Sequence, residues 1–417
     1  MRSNDKNLPR PLEGVVVLDM TSALAGPYAT LLLAGLGARV IKIENPLSPD
    51  TARNNAPFIG REGVAMTRKH ADDMSLAIME RGRNKESITL NLKNEQARQI
   101  FFKLVERADA VVENFSAGTA DRLGIGYEAC KKINQKIVYT SISGFGANMI
   151  SAQNKAMDTI VQALSGLMMT SGRPEDPPVR VGVPFGDLAA PLYAIIGTLA
   201  ALMQARQTGE GQHVDVSLLG AITAMVATEP FEVMQKSGQS PRSGNTMPRL
   251  APFGIFQTQD GYVAICAPTD GFTASLLTAM GKPELTQDAR FVDRNQRVKN
   301  NEALHELVES WTRTLSTDEA VLELELAGVP SGRVRDPGEA ACDERLIARG
   351  ETERVEHPKY GAVDDVIVGG LPIRMTGSFS GFDKPAPTLG EHNGTVLMDW
   401  LGMSASAVAQ LKEQGAI

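Results

Sequence analysis

The sequence predicts an α/β protein: a parallel sheet wound with helices on both faces, joined to a smaller α+β region. Three observations carry this. Short apolar runs of strand length, VVVLDM (15–20), RVIKIE (39–44), AVVE (110–113) and KIVYTSIS (136–143), alternate with segments of helical period. VVVLDM and AVVE are near-continuous apolar runs, the pattern of strands buried on both faces. After about residue 235 that rhythm stops, and a hairpin pattern, GIFQTQDGYVAICA (254–267), is followed by helical patterns.

Bulk properties bound the rest. The chain has 417 residues, long enough for two or more domains. Hydrophobic residues make up 42% and charged residues 22%, the balance of a soluble globular protein. A formal net charge of -7 gives no support for a nucleic-acid binder. Cys130, Cys266 and Cys342 lack metal-binding spacing and cannot all pair, so a reduced, cytoplasmic setting and no metal are expected. The opening MRSNDKNLPRPLEG has no apolar core for a secretory leader. Leu188–Met203 is apolar but contains Pro191 and Tyr193, and reads as a buried helix rather than a membrane span.

Taken in order, Val15–Met20 is a strand, Thr21–Pro27 a turn, Tyr28–Gly37 a helix and Arg39–Glu44 a second strand, together a βαβ unit. Ligands of such sheets sit beyond the strands' carboxyl ends. The turn TSALAGP lacks the G-x-G-x-x-G pattern that lets a backbone approach a dinucleotide pyrophosphate, which argues against a nicotinamide enzyme. Asn45–Arg81 is polar and aperiodic, and reads as a surface excursion. Asn84 and Lys85 fall at a turn before a strand at Ser87–Leu92. The helix Asn94–Arg107 places Ala97, Ile100, Phe101, Leu104 and Val105 on its inner face. The strand Ala110–Glu113 runs into Asn114, Phe115 and Ser116. A short helix, Thr119–Leu123, carries Arg122. The strand Lys136–Ser143 ends in SGFG, Ser143–Gly146.

These loops are expected to converge on one edge of the sheet. They offer Asn84, Lys85, Asn114 and the Ser143–Gly146 backbone, with Arg83 and Arg122 nearby. Cations in such a place point to a phosphate-bearing ligand. Each one alone also reads as an ordinary solvated surface charge.

The stretch Lys155–Gly172, KAMDTIVQALSGLMMTSG, starts a helix with Asp158 in its first turn and an apolar stripe of Ile160, Val161, Leu164, Leu167 and Met168. An acid there is ordinarily a cap, stabilised by free N–H groups and the helix dipole. The same setting suits a carboxylate aimed for use as a nucleophile. Further on, Asp187 caps a helix at Leu188–Arg206, and TGEGQHVDVSLL (208–219) reads as turn, strand and helix start. Pro241–Pro252 is rich in turn residues. Helices follow at Phe272–Met280, Asn301–Leu315 and Thr317–Ala327, then a strand at Asp364–Leu371 and a helix at Ser404–Gln414. The expected division is 1–225 as a large domain, 226–329 as a small α+β domain, and 330–417 returning to the large one.

PLEGVVVLDMTSALAGP, GARVIKIE, NKESITLNLK, VVENFSAGTADRLGIGYE, SISGFG, DTIVQALSGLM, GVPFGD, TGEGQHVDVSLL, APFGIFQTQDGYVAI and PAPTLGEHN, as an ordered set, resemble the class III CoA-transferase family. That family includes formyl-CoA transferase, carnitine CoA-transferase and alpha-methylacyl-CoA racemase. The resemblance implies a Rossmann-like large domain, a smaller α+β domain and an interlocked homodimer. It implies transfer of CoA from an acyl-CoA donor to a short carboxylic acid, succinyl-CoA or another dicarboxylate among them. Coenzyme A is then a substrate, and no cofactor, nucleic acid or membrane is involved. Asp158 falls at the family's nucleophile. Ala23, Leu24, Ala25, Arg83, Asn84, Lys85, Asn114, Phe115, Ser116, Arg122, Ser143, Gly144 and Phe145 fall at its CoA-binding positions.

Several positions depart from the family pattern. Asn45 stands where the formyl-CoA branch has a basic group. Met157 stands where the racemase branch has a histidine, although the second acid of that branch, Asp187, is present. Ser243–Gly254 replaces a glycine run of the formyl-CoA branch, and the 147–157 segment lacks the usual Gly-Pro turn. The alternatives are an acyl-CoA racemase or epimerase and a non-catalytic CoA-binding protein.

Overall fold

The computed structural model describes residues 6–147 and 156–417. The first five residues of the N-terminal stretch, Lys155, and most of the 147–157 segment therefore lie outside the described residues.

The chain divides into two compact units. The first comprises residues 1–167, 180–228 and 341–417, and the second comprises 168–179 and 229–340. The second unit thus takes in a short segment after Leu167 and runs on to residue 340, where the sequence alone suggested 226–329.

In the first unit the strands and helices, in chain order, are β1 (Val16–Met20), α1 (Ala25–Gly35), β2 (Arg39–Glu44), β3 (Phe58–Gly60), β4 (Gly63–Ala65), β5 (Met74–Ser75), α2 (Leu76–Arg81), β6 (Lys85–Thr89), α3 (Glu95–Val105), β7 (Ala110–Glu113), α4 (Thr119–Arg122), α5 (Tyr127–Ile133), β8 (Val138–Ser143), α6 (Asp158–Leu164), α7 (Phe185–Thr208), β9 (His213–Ser217) and α8 (Leu218–Val226). Six strands form one parallel sheet in the order β6-β2-β1-β7-β8-β9. Strand order reverses between β1 and β7, which makes the loops after those two strands the topological switch point.

Alternation along the strands builds two cores. Val17, Val40, Val112 and Ile142 face α1, α7 and α8, whereas Leu18, Ile41, Val111 and Tyr139 face α3 and α5. Helix α3 is capped by Asn94, whose side chain accepts from the N–H groups of Gln96 and Ala97, and it buries the five residues its period singles out. Helix α1 starts three residues earlier than the sequence suggests, because it is buried almost all round and Pro27 is tolerated in its first turn.

Residues 45–81 are not a surface excursion. They form the three-stranded antiparallel sheet β4-β3-β5 and helix α2. Ala52, Ile59, Met74, Ile78 and Met79 pack with Val355, Val368 and Ala386 into a separate core. Each strand there is only two or three residues long, too short for a periodic signal. The C-terminal segment contributes β14 (Thr352–His357) and β15 (Gly361–Gly369), and then covers the edge of the large sheet. The Ser87 carbonyl accepts from the His392 N–H at 2.8 Å, and the Thr89 N–H donates to Asn393 Oδ1 at 2.8 Å. An edge strand that would otherwise offer free backbone groups is thereby paired.

In the second unit, β10 (Thr246–Met247), β11 (Leu250–Gln257), β12 (Tyr262–Cys266) and β13 (Ser331–Arg333) make an antiparallel sheet packed by the helices Asp270–Ala279, Asn301–Thr312 and Thr317–Leu326. The Ser243–Gly254 stretch lies largely in the β10–β11 hairpin. Buried Arg242 ties the 168–179 segment to this unit by donating to the carbonyls of Ser171, Asp176 and Pro177.

Candidate active site

Asp158 is the first residue of α6, and Met157 stands at the cap position without a side-chain cap bond. The Asp158 carboxylate serves a different helix. Its Oδ1 accepts the Gly186 N–H, at the start of α7, at 2.7 Å. Its Oδ2 accepts Gln162 Nε2, one turn on in α6, at 2.7 Å. Two helix N-termini thus meet at one carboxylate, a place where orphan N–H groups stabilise negative charge. Gln162 is buried and fixed at both ends of its amide: Nε2 also donates to the Val183 carbonyl at 3.2 Å, and Oε1 accepts the Val181 N–H at 2.9 Å. Gly186 permits the approach, since a Cβ there would lie 3.2 Å from Asp158 Oδ1, 3.1 Å from Val161 and 3.0 Å from Ile222.

Beside this pair stands a second acid. Asp187 is in the first turn of α7. Burial, and then the neighbouring Asp158 charge, push its carboxyl up to about 6, with Arg81 pulling the other way. Pro191, four residues on in the same helix, cannot donate to the Asp187 carbonyl, so the helix is open at this point. Helix α6 is short. Gly166, with φ +82°, ends it, and the apolar stripe is buried only in part: Val161 is fully buried, whereas Ile160 is 47% exposed and Leu164 60%.

The SGFG loop lies against the start of α6. Gly144 abuts Ala156 so closely that a Cβ would sit 1.9 Å from the Ala156 Cβ. Phe145 is buried in the same core as Val161, and Ser143 Oγ accepts the Gly146 N–H at 3.0 Å. Asp158, Ser143, Gly144 and Phe145 are therefore brought together.

At the switch point, the turn after β1 is held on every side. Asn114 Oδ1 accepts the Ser22 N–H at 2.9 Å, and Asn114 Nδ2 donates to the Ser22 carbonyl at 2.8 Å. Ala23 adopts φ +64°, and Leu24 and Ala25 open α1. A cavity of about 350 Å³ lies at the carboxyl ends of the strands, lined by Thr21 and Ser22, by Asn45 and Ser48–Thr51, by Leu90, Leu92 and Lys93, and by Phe115 and Leu123. Ser116 is exposed next to Phe115. Arg122 is exposed and donates to Thr119 Oγ1 at 2.7 Å.

Arg83, Asn84 and Lys85 are not brought to that edge. The strand they precede begins at Lys85, not at Ser87, and Lys85 is level with Val40 near the start of β2. They stand at the amino end of the sheet, and each side chain is engaged within the protein. Arg83 donates to Glu353 at 3.0 Å, to the carbonyls of Glu80 and Gly369, and lies over the Phe382 ring. Asn84, with φ +59°, accepts the N–H groups of Asp383 and Lys384 at 2.9 and 2.8 Å. Lys85 is buried and donates to Asp19 at 2.9 Å, Thr30 at 2.7 Å and the Pro27 carbonyl at 3.0 Å. The basic look of this turn in sequence comes from fold-holding contacts. The residues from this part of the chain that line the cavity are Leu90, Leu92 and Lys93, just beyond the carboxyl end of β6.

Sequence reasoning also missed Gln162, Gly186 and Asp50. Gln162 was legible as the helical neighbour four residues after Asp158. Asp50 sits in the aperiodic 45–81 region and carries no such signal. Among the described residues, no group of three or more His, Cys, Asp or Glu side chains could hold a metal ion.

A family model described as CoA-transferase family III matches residues 12–393. The chain belongs to CoA-transferase family III. Among the relatives of this transferase is the acetyl-CoA:oxalate CoA-transferase of Acetobacter aceti, 38% identical over 401 residues, covering 95% of this chain and 97% of the relative. The succinyl-CoA:mesaconate CoA-transferase of Haloarcula marismortui is 35% identical over 397 residues, covering 94% and 96%. Among solved structures, a CAIB/BAIF family protein from Brucella suis superposes with a TM-score of 0.79 at 33% identity, covering 94% of this chain and 99% of that one. The mixed α/β architecture with a central parallel sheet is that of these neighbours, and the chain is a CoA-transferase.

Proposed function

We propose that this transferase moves CoA from a succinyl-CoA or similar acyl-CoA donor to a short dicarboxylic acid, with Asp158 as the nucleophile. The observation that carries the reading is the Asp158 carboxylate, held by the Gly186 N–H and Gln162 Nε2 at two helix starts. The substrate class is supported by relatives named for oxalate, mesaconate and glutarate.

In this reading an Asp158 oxygen attacks the thioester carbonyl. A C–O bond forms and the C–S bond breaks, giving a mixed anhydride and the CoA thiolate. The thiolate then attacks the aspartyl carbonyl, forming an aspartyl-CoA thioester and releasing the donor acid as its carboxylate. The acceptor carboxylate runs the steps in reverse. The donors that hold the resting carboxylate have a second use: once one Asp158 oxygen is acylated, the donor on the other faces a carbonyl oxygen that becomes an oxyanion when thiolate attacks.

CoA takes the turn Ala23–Ala25, the Asn114–Ser116 loop, Arg122 and the Ser143–Phe145 loop, with its nucleotide end in the cavity beyond Phe115. Exposed Leu192, Tyr193, Ile196 and Met203 on one helix, α7, support a homodimer that covers them, interlocked as in the family. That helix is also long and apolar enough to cross a membrane by length and composition, but half of its apolar window is buried within the protein. Three free cysteines support a cytoplasmic setting.

The test pairs a mass-spectrometric screen of acyl-CoA donors against dicarboxylate acceptors with trapping by hydroxylamine or borohydride during turnover. The label is expected on Asp158 alone. A label on Asp187 or Glu113 moves the active site, and turnover with no label points to a ternary complex. Rapid deuterium uptake at the alpha carbon of a 2-methylacyl-CoA would favour the racemase instead.

A further inference from the structure

Ala23 is one of only four non-glycine residues with positive φ among the described residues, and it lies in the turn at the switch point. The left-handed region puts Cβ against the following carbonyl and persists in an alanine only where the surroundings over-determine it. Here they do. Three consecutive residues are each gripped by a side chain from a different element. The Thr21 carbonyl accepts Lys42 Nζ at 2.8 Å, and the Thr21 N–H donates to Asp19 Oδ1 at 2.9 Å. Asn114 takes both backbone groups of Ser22. The Ala23 N–H itself donates to Asp50 Oδ1 at 2.8 Å.

Asp50 differs from the other three. Asp19, Lys42 and Asn114 belong to strands of the sheet or the residue next to one. Asp50 comes from the loop between β2 and β3, and it is buried there. Its Oδ1 also accepts the Ala52 N–H at 2.9 Å, and its Oδ2 pairs with Lys42 at 2.9 Å. Burial works against its charge, but Lys42 and the Ala23 and Ala52 N–H groups hold its carboxyl below the usual range. The same loop, residues 48–51, lines the 350 Å³ cavity together with Phe115, and Thr21 and Ser22 line it too. One carboxylate therefore joins the cavity wall to the strained turn.

We propose that Asp50 is a positioning residue for the acyl-CoA substrate: it locks the Ala23 turn in its left-handed form and fixes that turn to the loop walling the nucleotide end of the site. This rests on the proposed binding of CoA at the Ala23 turn and in the cavity. Asp50 touches no reacting atom. It acts through the Ala23 N–H, so its loss should weaken binding of CoA species and spare the acceptor acid.

The experiment compares Asp50→Ala, Asp50→Asn and the double variant Asp50→Ala/Ala23→Gly, by calorimetric binding of CoA itself and by KM for acyl-CoA and for the acceptor acid. Asp50→Ala should weaken CoA binding and raise the acyl-CoA KM about tenfold, the scale of one left-handed residue set free. The acceptor KM should stay within about twofold, a change too small to reflect a lost contact. Asp50→Asn keeps the acceptor for the Ala23 N–H and should lose less. Glycine adopts the left-handed turn without strain, so Ala23→Gly should restore much of the loss in the double variant. Equal change in both KM values, unchanged CoA binding in Asp50→Ala, or no rescue by glycine would overturn the proposal. If Asp50→Ala does not fold, Asp50→Asn decides it: weakened CoA binding that Ala23→Gly relieves in the Asp50→Asn/Ala23→Gly double variant supports the proposal, and unaltered CoA binding in folded Asp50→Asn overturns it. Wild-type protein that binds no CoA would instead sink the reading of the site, which is a different result.

Discussion

Asp19 and Asp158 lie in the same unit, and their surroundings differ in charge balance. Asp19 is fully buried at the β1 end and meets Lys85 at 2.9 Å, with Lys42 and the hydroxyls of Thr21 and Thr30 around it. Burial alone would push its carboxyl up, but Lys85, Lys42 and the two hydroxyls hold it down at about 2. Burial draws Lys85 down to about 8, which leaves it charged at neutral pH. Asp158 has neutral donors and a second acid, Asp187, for company, and Arg81 is the one cation acting on that acid. The first carboxylate is matched and spent on the fold. The second sits beside a like acid that Arg81 offsets only in part, the condition under which a group keeps chemistry to do.

The contrast breaks most sharply at Asp158. Asp158→Ala should lower CoA transfer by about a thousandfold or more, as loss of a covalent nucleophile does, while CoA binding and the melting transition change little. Retention of more than about a tenth of wild-type turnover would remove its nucleophile role. At the other site the effect should fall on stability. Lys85→Met takes from the buried Asp19 carboxylate its bonded cation, leaving Lys42 and two hydroxyls, and should cost about 3 kcal/mol in urea unfolding. The double variant Asp19→Asn/Lys85→Met should recover a good part of that; no recovery would mean that the pair is not the unit that matters.

Acid sharpens the comparison further. The Asp19 carboxyl lies at about 2 in the fold, below its ordinary value, so its contribution is complete above pH 4 and is lost as pH falls from about 4 to about 2. Roughly 2 kcal/mol of stability should disappear over that window, and Asp19→Asn should flatten it. Asp187 has the opposite sign. The folded state holds its proton more tightly than the unfolded chain, so stability should decline as pH rises from about 4 through about 6. Solvent screening limits this to about 1 kcal/mol. Asp158→Ala should shrink that decline, and a slope indifferent to Asp158 would uncouple the two acids.

The parts of this arrangement that could be read from sequence are those with a repeating physical signal. Buried parallel strands are apolar without alternation, and α3 shows its five buried residues by period alone. Asp158 was visible as an acid at a helix start. Of its partners, Gln162 offered only its spacing of four residues in α6, and Gly186 offered nothing, since it arrives from a separate helix. The 45–81 region failed because its order rests on strands of two or three residues and contacts with residues about 300 positions away. Arg83, Asn84 and Lys85 were expected at the other edge of the sheet because charge in a turn looks the same whether it faces solvent or a buried partner. Only the strand register, Val40 beside Lys85, assigns them to the amino end.

The cover over the β6 edge also has a consequence for how the chain is made. Gly390, His392 and Asn393 bond to Ser87 and Thr89 across a separation of 303 to 305 residues. On a ribosome adding about 5–20 residues per second, β6 leaves the exit tunnel some 15–60 seconds before the segment that seals it. For that interval a nascent sheet carries an open margin able to pair with a neighbouring polysome's product. Yield from rapid expression should therefore respond to chaperones that shield strand edges during translation, even though the finished protein has nothing there to shield.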